Sequence, residues 1–412
     1  MKKVAIIGAG VSGLTVAQLL KNRYAVKVFE KERKPGGLIR CERVDGSLFH
    51  ICGGHVFNTK DQRVLDWFWS HFDRERQFLK ANRKSAVCME DGRFVDYPIE
   101  NHVYQMDEAV QKAFFADLDA MEHNQGPEPT NFDEFLRCRF GQTLYNLYFK
   151  PYNAKIWRRD LRDVPLSWLE GKLPMPTVKE MREANANHLE EKTFVHSSFY
   201  YEREGGSQLI ADTLAAGVDV LYETPVREIV PQESGRCLVN GQPFDTVVYC
   251  GNVKELPAIM AGFDFGDYAQ SIADLEYHGT TAVFCRFDQN PYSWFYQPSP
   301  RHHSHRFICT GNFSPSNNAP GVMTGTVEFT DAIDVDEIKA ELGLMPYHPE
   351  YITHHYSPYT YPVQHKDTRS VIKGLKAKLS TVGVHLVGRF AEWEYFNMDA
   401  AMASAMRCCD GL

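Results

Sequence analysis

The chain has 412 residues, of which 43% are hydrophobic and 24% charged, an ordinary make-up for a globular protein too long for one hydrophobic core. A formal charge of −8 excludes a general attraction to nucleic acid or to an anionic membrane, so any anionic ligand must be met by local positive groups. No apolar run approaches the ~18 residues of a membrane span, so no membrane insertion is expected. No N-terminal leader is read, and the cytoplasm is the expected compartment. The ten cysteines form no C-x-x-C pair and sit mostly in apolar runs such as "AVFCRF" and "VVYCGN". They are expected to be buried reduced thiols, with no metal site.

The chain opens with "KKVAIIGAGVSGLTVAQLLKNRYAVKVFEK". Val4 to Ile7 reads as a buried parallel strand, followed by Gly8, Gly10 and Gly13 in a G-x-G-x-x-G turn. "LTVAQLLKNR" is then an expected amphipathic helix, and "AVKVF" a second strand ending at Glu30. The glycines permit a tight turn and close backbone approach to a pyrophosphate, and the helix N-terminus offers it unpaired N–H groups. Glu30 falls where a carboxylate can accept ribose hydroxyls. The unit predicts dinucleotide binding but does not by itself separate NAD from FAD.

"FHICGGHVFNT", residues 49–59, begins as an alternating strand and then breaks at Gly53 and Gly54 beside His55. A bulge with a surface histidine accounts for it. So does a flat, bulky ligand passing close to the backbone. Residues from about 100 to 190 read as helical, in "DEAVQKAFFADLDAM", "NFDEFLRCRFGQTLYNLYFKPYNAKIW" and "SWLEGK", with Asn131 or Asp133 as an N-cap. Residues from about 270 to 360 are richer in strands: "TAVFCRF", "SWFYQ", "RFICTG" and "VMTGTVEF".

Several stretches resemble FAD enzymes of the glutathione-reductase and amine-oxidase type. "KPGGLIR" places Gly36, Gly37 and then Arg40 soon after the acidic strand. "VHLVGRFAEWEYFNMDAAMASAM" has a strand at His385–Val387, then Gly388 and Arg389, a loop, and a helix from near Met398. "LYETPVREIV", with "FDTVVYCGN" after it, is similar to the strand that passes the adenine, with Val226 as its backbone contact. The expected fold is therefore α/β. A Rossmann-like FAD-binding domain is assembled from residues 1–95, 195–265 and 365–412, with a helical substrate and nucleotide domain at 96–194 and an antiparallel sheet domain at 266–364.

Nearly the whole chain resembles the UDP-galactopyranose mutases, through "GGHVFNT", "YPIENH", "YNAKIW", "REGGSQLIADTL", "SWFYQP", "RFICTGNFSPSNN", "TYP" and "GRFAEWEYFNMD". The resemblance implies a flavoenzyme that interconverts the pyranose and furanose forms of a nucleotide sugar. In that chemistry N5 of reduced FAD attacks the anomeric carbon and expels the nucleotide diphosphate. A flavin–sugar iminium then opens the ring. There is no net redox change, but NAD(P)H or another reductant must first reduce the flavin. The Gly54 carbonyl would accept N5–H, Gly53 would remove side-chain bulk, and His55 would lie against the ring.

The resemblance also assigns substrate contacts. Arg306 matches the arginine that forks onto the diphosphate, and Tyr296, Tyr361 and Tyr395 match its phenolic donors. Tyr152, Asn153 and Trp157 match positions near base, sugar and flavin, and Tyr97 a further base contact. Three positions depart from the pattern. Lys172 stands where a second arginine is usual, and it keeps the charge but loses the fork. Glu100 stands where an amide pairs with uracil. Its ionised carboxylate cannot donate, and it suits the N1–H and N2–H of guanine at least as well as uracil N3–H. Asn397 replaces an aspartate. The substrate is thus UDP-galactose or another nucleotide sugar, such as a GDP- or UDP-N-acetyl sugar. An FAD oxidoreductase of the amine-oxidase or protoporphyrinogen-oxidase class shares the dinucleotide parts but leaves the tyrosine–arginine set without a task. A non-catalytic nucleotide-sugar binder would not need Glu30 and the intact glycines. The sequence does not fix the oligomeric state, for which a homodimer is the working expectation.

Overall fold

In a computed structural model, residues 1–123, 127–166, 176–189 and 198–412 are described. Lys3–Ile7 lies at the centre of a five-stranded sheet, because Val4, Ala5 and Ile6 are buried on both faces and a strand covered on both sides needs a continuous apolar run. The order across this sheet is Val384–Leu386, Thr246–Tyr249, Lys3–Ile7, Ala25–Phe29, Val220–Leu221, and every pair is parallel. Strands from three separated parts of the chain therefore build one Rossmann-like layer. The first helix, Val11–Leu20, differs from its expected amphipathic character. Eight of its ten residues are buried, because the last helix, Met398–Asp410, and the helix Gln208–Ala215 pack against it.

The second sheet has seven strands in the order Glu350–Pro362, Tyr277–Arg286, Thr324–Thr330, Arg306–Ile308, Trp294–Tyr296, Ser85–Cys88, Phe94–Asp96. It is antiparallel except where Trp294–Tyr296 runs parallel to Ser85–Cys88. Ser85–Cys88 and Phe94–Asp96, at the end of the first expected FAD-binding segment and the start of the helical one, complete this sheet. Trp294–Tyr296 has an open edge there, and the four residues Ser85–Cys88 are all buried.

Helices Glu108–His123, Phe132–Leu144, Lys150–Trp157 and Val178–Asn187 form the helical layer. Asn131 is the N-cap, accepting the Glu134 N–H at 3.0 Å. "SWLEGK", with Lys172, lies outside the described residues. The stretch around Val226 was expected as a strand, but residues 222–228 form an irregular connection between Val220–Leu221 and Ile229–Pro231. The described cysteines are unpaired by disulfides, and only Cys138 is exposed. Among the described residues, no helix is long and apolar enough to cross a membrane, and no group of three or more His, Cys, Asp or Glu is arranged to hold a metal.

Candidate active site

One cavity of about 2490 Å³ runs between the parallel sheet, the mixed sheet and the helical layer. Its walls bring together every candidate cofactor and substrate residue read from the sequence except Gly388 and Lys172. Lys172 is outside the described residues. Gly388 lies behind the wall with φ +104°, and a side chain there would meet Ser12 Oγ at 2.5 Å. It lets the C-terminal strand pass the first helix, and its N–H donates to Glu392 at 2.9 Å.

At one end the glycine turn forms a cradle. Gly8 has φ +102°, and a Cβ on Gly13 would sit 2.0 Å from the Gly8 carbonyl oxygen, so both positions demand glycine. A Cβ on Gly10 would meet nothing within 4 Å, which leaves open space above the N-terminus of the first helix. Gly10 is its N-cap and supplies no side-chain partner, so the first N–H groups face that space. The last helix likewise begins at the cavity, capped by the exposed Asn397 without a side-chain bond. Glu30 closes the cradle, taking Ala9 N–H at 2.6 Å and Glu32 N–H at 2.9 Å. The Gly36–Gly37 turn is tied on by Gly36 N–H to Ala9 O at 2.8 Å. Arg40 reaches back to Gly37 O at 3.1 Å and lies 3.3 Å from Glu32. Two helix N-termini, a bare glycine surface and a carboxylate fit an FAD pyrophosphate and ribose.

The loop 51–55 forms the middle wall. Gly53 has φ +68°, and its N–H donates to Glu328 Oε1 at 2.9 Å. A Cβ on Gly54 would strike Ile308 Cγ2 at 2.4 Å. Each glycine thus has its own reason, one conformational and one of packing beneath the loop. His55 is half-buried on the wall, with Nε2 3.0 Å from Leu38 O in the Gly36–Gly37 turn. Since that carbonyl only accepts, Nε2 carries the proton. Burial, followed by the Arg389 charge, pushes the His55 pKa down to about 4, so the ring is neutral.

Beyond His55 stands an arginine–tyrosine cluster. Arg306 donates Nε and Nη2 to Glu328 Oε2 at 2.7 and 2.6 Å. Glu328 is 1% exposed. Burial pushes its pKa up, but Arg306 and His305 push it down further, to about 2. One carboxylate therefore orients the arginine and holds the Gly53 backbone. Tyr361 stacks on Tyr395 at 5.4 Å, and the Arg389 guanidinium lies 4.0 Å from the Tyr395 ring centre. Tyr296 meets Tyr152 edge to face at 5.3 Å and lies tilted against Tyr97 at 4.8 Å. Burial holds the Tyr152 and Tyr361 phenols well above their usual pKa, which keeps them as O–H donors. Glu100 is 1% exposed on the same wall, with Asn153 and Trp157 close in sequence to Tyr152.

Sequence reading missed Glu328, Tyr148 and Arg83, all on the cavity wall. Tyr148 stacks on Tyr152 at 5.3 Å, and Arg83 lies over the Tyr97 ring. The signal for Glu328 was present: a lone acid inside the apolar strand "TGTVEFT" must be paired when buried.

Residues 11–412 match the family of flavin-containing amine oxidoreductases. The chain is 23% identical to a dTDP-fucopyranose mutase from Escherichia coli over 99% of its own length and 97% of that protein. It is 22% identical to a UDP-galactopyranose mutase from Mycoplasma genitalium, over 98% and 93% respectively. Among solved structures, reduced UDP-galactopyranose mutase superposes with a TM-score of 0.88 at 20% identity, covering all of this chain and 93% of that one. Putrescine oxidase bound to putrescine superposes with a TM-score of 0.66 at 17% identity, covering all of this chain and 98% of that one. The resemblance read from the motifs thus extends over the full length, and the chain belongs to the flavin-containing amine oxidoreductase family, where its full-length relatives include nucleotide-sugar mutases.

Proposed function

We propose that the chain is a flavin-dependent mutase that interconverts the pyranose and furanose forms of a nucleotide-diphosphate sugar, UDP-galactose or a close analogue. The observation that carries this reading is the continuity of one cavity from the glycine cradle, past His55, to an arginine ringed by tyrosines. An oxidase acting on an amine has no use for such a set, whereas a leaving diphosphate needs it.

FAD would be held by Gly8, Gly10, Gly13, Glu30, Gly37, Arg40, Val226, Arg389 and the helix beginning at Met398. Bound and reduced by NAD(P)H or another reductant, it supplies a nucleophilic nitrogen for the anomeric carbon. The protein's own share is binding and orientation. Arg306, fixed by Glu328, takes the diphosphate oxygens, and Tyr296, Tyr361 and Tyr395 donate to those left over. Neutral His55 and the Gly54 carbonyl line the face where the sugar meets the cofactor. Tyr97 and Tyr152 stack on the base, with Asn153, Trp157 and Asn397 beside the sugar.

Glu100 favours a second reading of the base. When ionised, its carboxylate accepts only, and guanine presents adjacent N1–H and N2–H donors, while uracil and thymine offer one N–H between two carbonyls. Titration with UDP, dTDP and GDP separates these readings, and a strong preference for UDP or dTDP removes guanine.

The test of function is incubation of dithionite-reduced protein with a panel of nucleotide sugars, read by chromatography for furanose products. Arg306→Ala should raise KM and lower turnover. Oxygen-dependent turnover of an amine or porphyrinogen, without isomerisation, would place the chain with the oxidases instead.

A further inference from the structure

The helix Lys150–Trp157 presents Tyr152, Asn153 and Trp157 to the cavity. Lys155 is not on that wall. Its ammonium donates to two backbone carbonyls, Gln297 O at 2.7 Å and Ser304 O at 2.9 Å. These carbonyls belong to the neck of one hairpin, where Gln297 N–H donates to His305 O at 2.9 Å. Next to the neck on the cavity side are Tyr296 and Arg306, a directly facing pair on adjacent strands. A single lysine therefore joins the helix bearing Tyr152 to the strand pair bearing Tyr296 and Arg306.

This tie is expensive. Burial lowers the Lys155 pKa to about 7, with only Glu341 opposing the shift. An apolar side chain of similar volume would fill the site without that desolvation. What the lysine provides that methionine cannot is two bonds of fixed geometry across the gap between helix and hairpin. That gap determines how far Tyr152 stands from Tyr296 and Arg306, now 5.3 Å between the two ring centres.

We propose that Lys155 is a positioning residue for the diphosphate site, setting the separation of its helical and strand walls. The inference rests on the nucleotide-diphosphate reading above. The helix has a second, independent anchor that the substitution leaves in place: His278 Nε2 lies 2.9 Å from Trp157 O, and His278 Nδ1 lies 3.0 Å from Asp331.

The test uses full-length, FAD-loaded Lys155→Met. UDP, GDP, dTDP and inorganic pyrophosphate are titrated against parent and variant, FAD content is read by absorbance, and KM and kcat are measured on whichever nucleotide sugar the parent converts. The expected result is a tenfold or greater loss of affinity for nucleotide diphosphate and for pyrophosphate. KM should rise more than kcat falls, with FAD content unchanged. Unchanged affinity overturns the inference, and so does a parallel loss of FAD and anion binding, which marks general destabilisation. If Lys155→Met does not fold, Lys155→Gln is read in the same assays against the same criteria. A parent that binds pyrophosphate but no nucleotide refutes the functional reading alone, and the Lys155 inference is then decided on pyrophosphate. A parent that binds neither refutes both.

Discussion

Replacing Arg306 with alanine removes a substrate contact and also breaks a buried ion pair, and the two effects can be separated. Glu328 is 1% exposed and drops from a pKa of 4.5 to about 2 in the folded chain. At ~1.4 kcal/mol per pH unit, that drop corresponds to about 3 kcal/mol of stability. Because the folded pKa is depressed, this stability is full above about pH 4.5 and is lost as pH falls towards about 2. Arg306→Ala leaves the carboxylate buried without its main cation, for which ~3–5 kcal/mol is typical. Its Nε and Nη2 bonds at 2.7 and 2.6 Å go with it.

The single variant should therefore unfold at clearly lower urea at pH 7. Glu328→Gln added to Arg306→Ala should recover most of the stability, since no charge is then stranded. Nucleotide affinity should stay lost in both. The assay is a double-mutant cycle by urea unfolding at pH 7, with UDP titration alongside. A coupling below ~0.5 kcal/mol would mean that the pair is not what holds Glu328, and the reasoning would fail.

Gly54→Ala should cost about 1–3 kcal/mol in thermal unfolding, because its methyl would stand 2.4 Å from Ile308 Cγ2. Ile308→Ala in the same chain should relieve the clash, and a Gly54→Ala protein as stable as the parent would contradict this packing. His55→Ala should reduce isomerisation far more than it shifts the melting temperature, since the side chain's bond to Leu38 O orients a cavity wall. Full activity would return the loop to a simple turn. Glu202 is 1% exposed, and burial raises its pKa from 4.5 to about 8. An acid raised in the fold is destabilising wherever the unfolded chain has ionised, so stability attributable to it falls as pH rises from about 4.5 to about 8. Glu202→Gln should be more stable than the parent at pH 7 by about 3 kcal/mol, with a flatter profile across that window; an identical pH profile would refute the burial argument.

The sequence by itself determined the parts of this protein whose physics is local. Gly8 and Gly13 announce the cradle because backbone conformation and sterics within a few residues require them, while Gly10 leaves the space above the helix open. The strand and helix on either side follow from hydrophobic runs of the right period. Glu30 is recognisable because it ends the next strand, and its contact with Ala9 spans only 21 residues. Resemblance then placed Arg306 and the tyrosines in one set, and they do share a cavity wall.

Tertiary structure decided what depends on partners distant in sequence. Gly53 is held by Glu328, 275 positions away, and Gly54 is kept bare by Ile308. Lys155 meets carbonyls more than 140 positions along the chain. The first helix is buried by the last, and Ser85–Cys88 leaves the dinucleotide segment to fill an open sheet edge. None of these follows from periodicity, because a side chain's pattern records that it will be buried but not against what. The pairing is settled only when the layers close, and there the cost of burying Glu328 and Lys155 selects the partners that offset it.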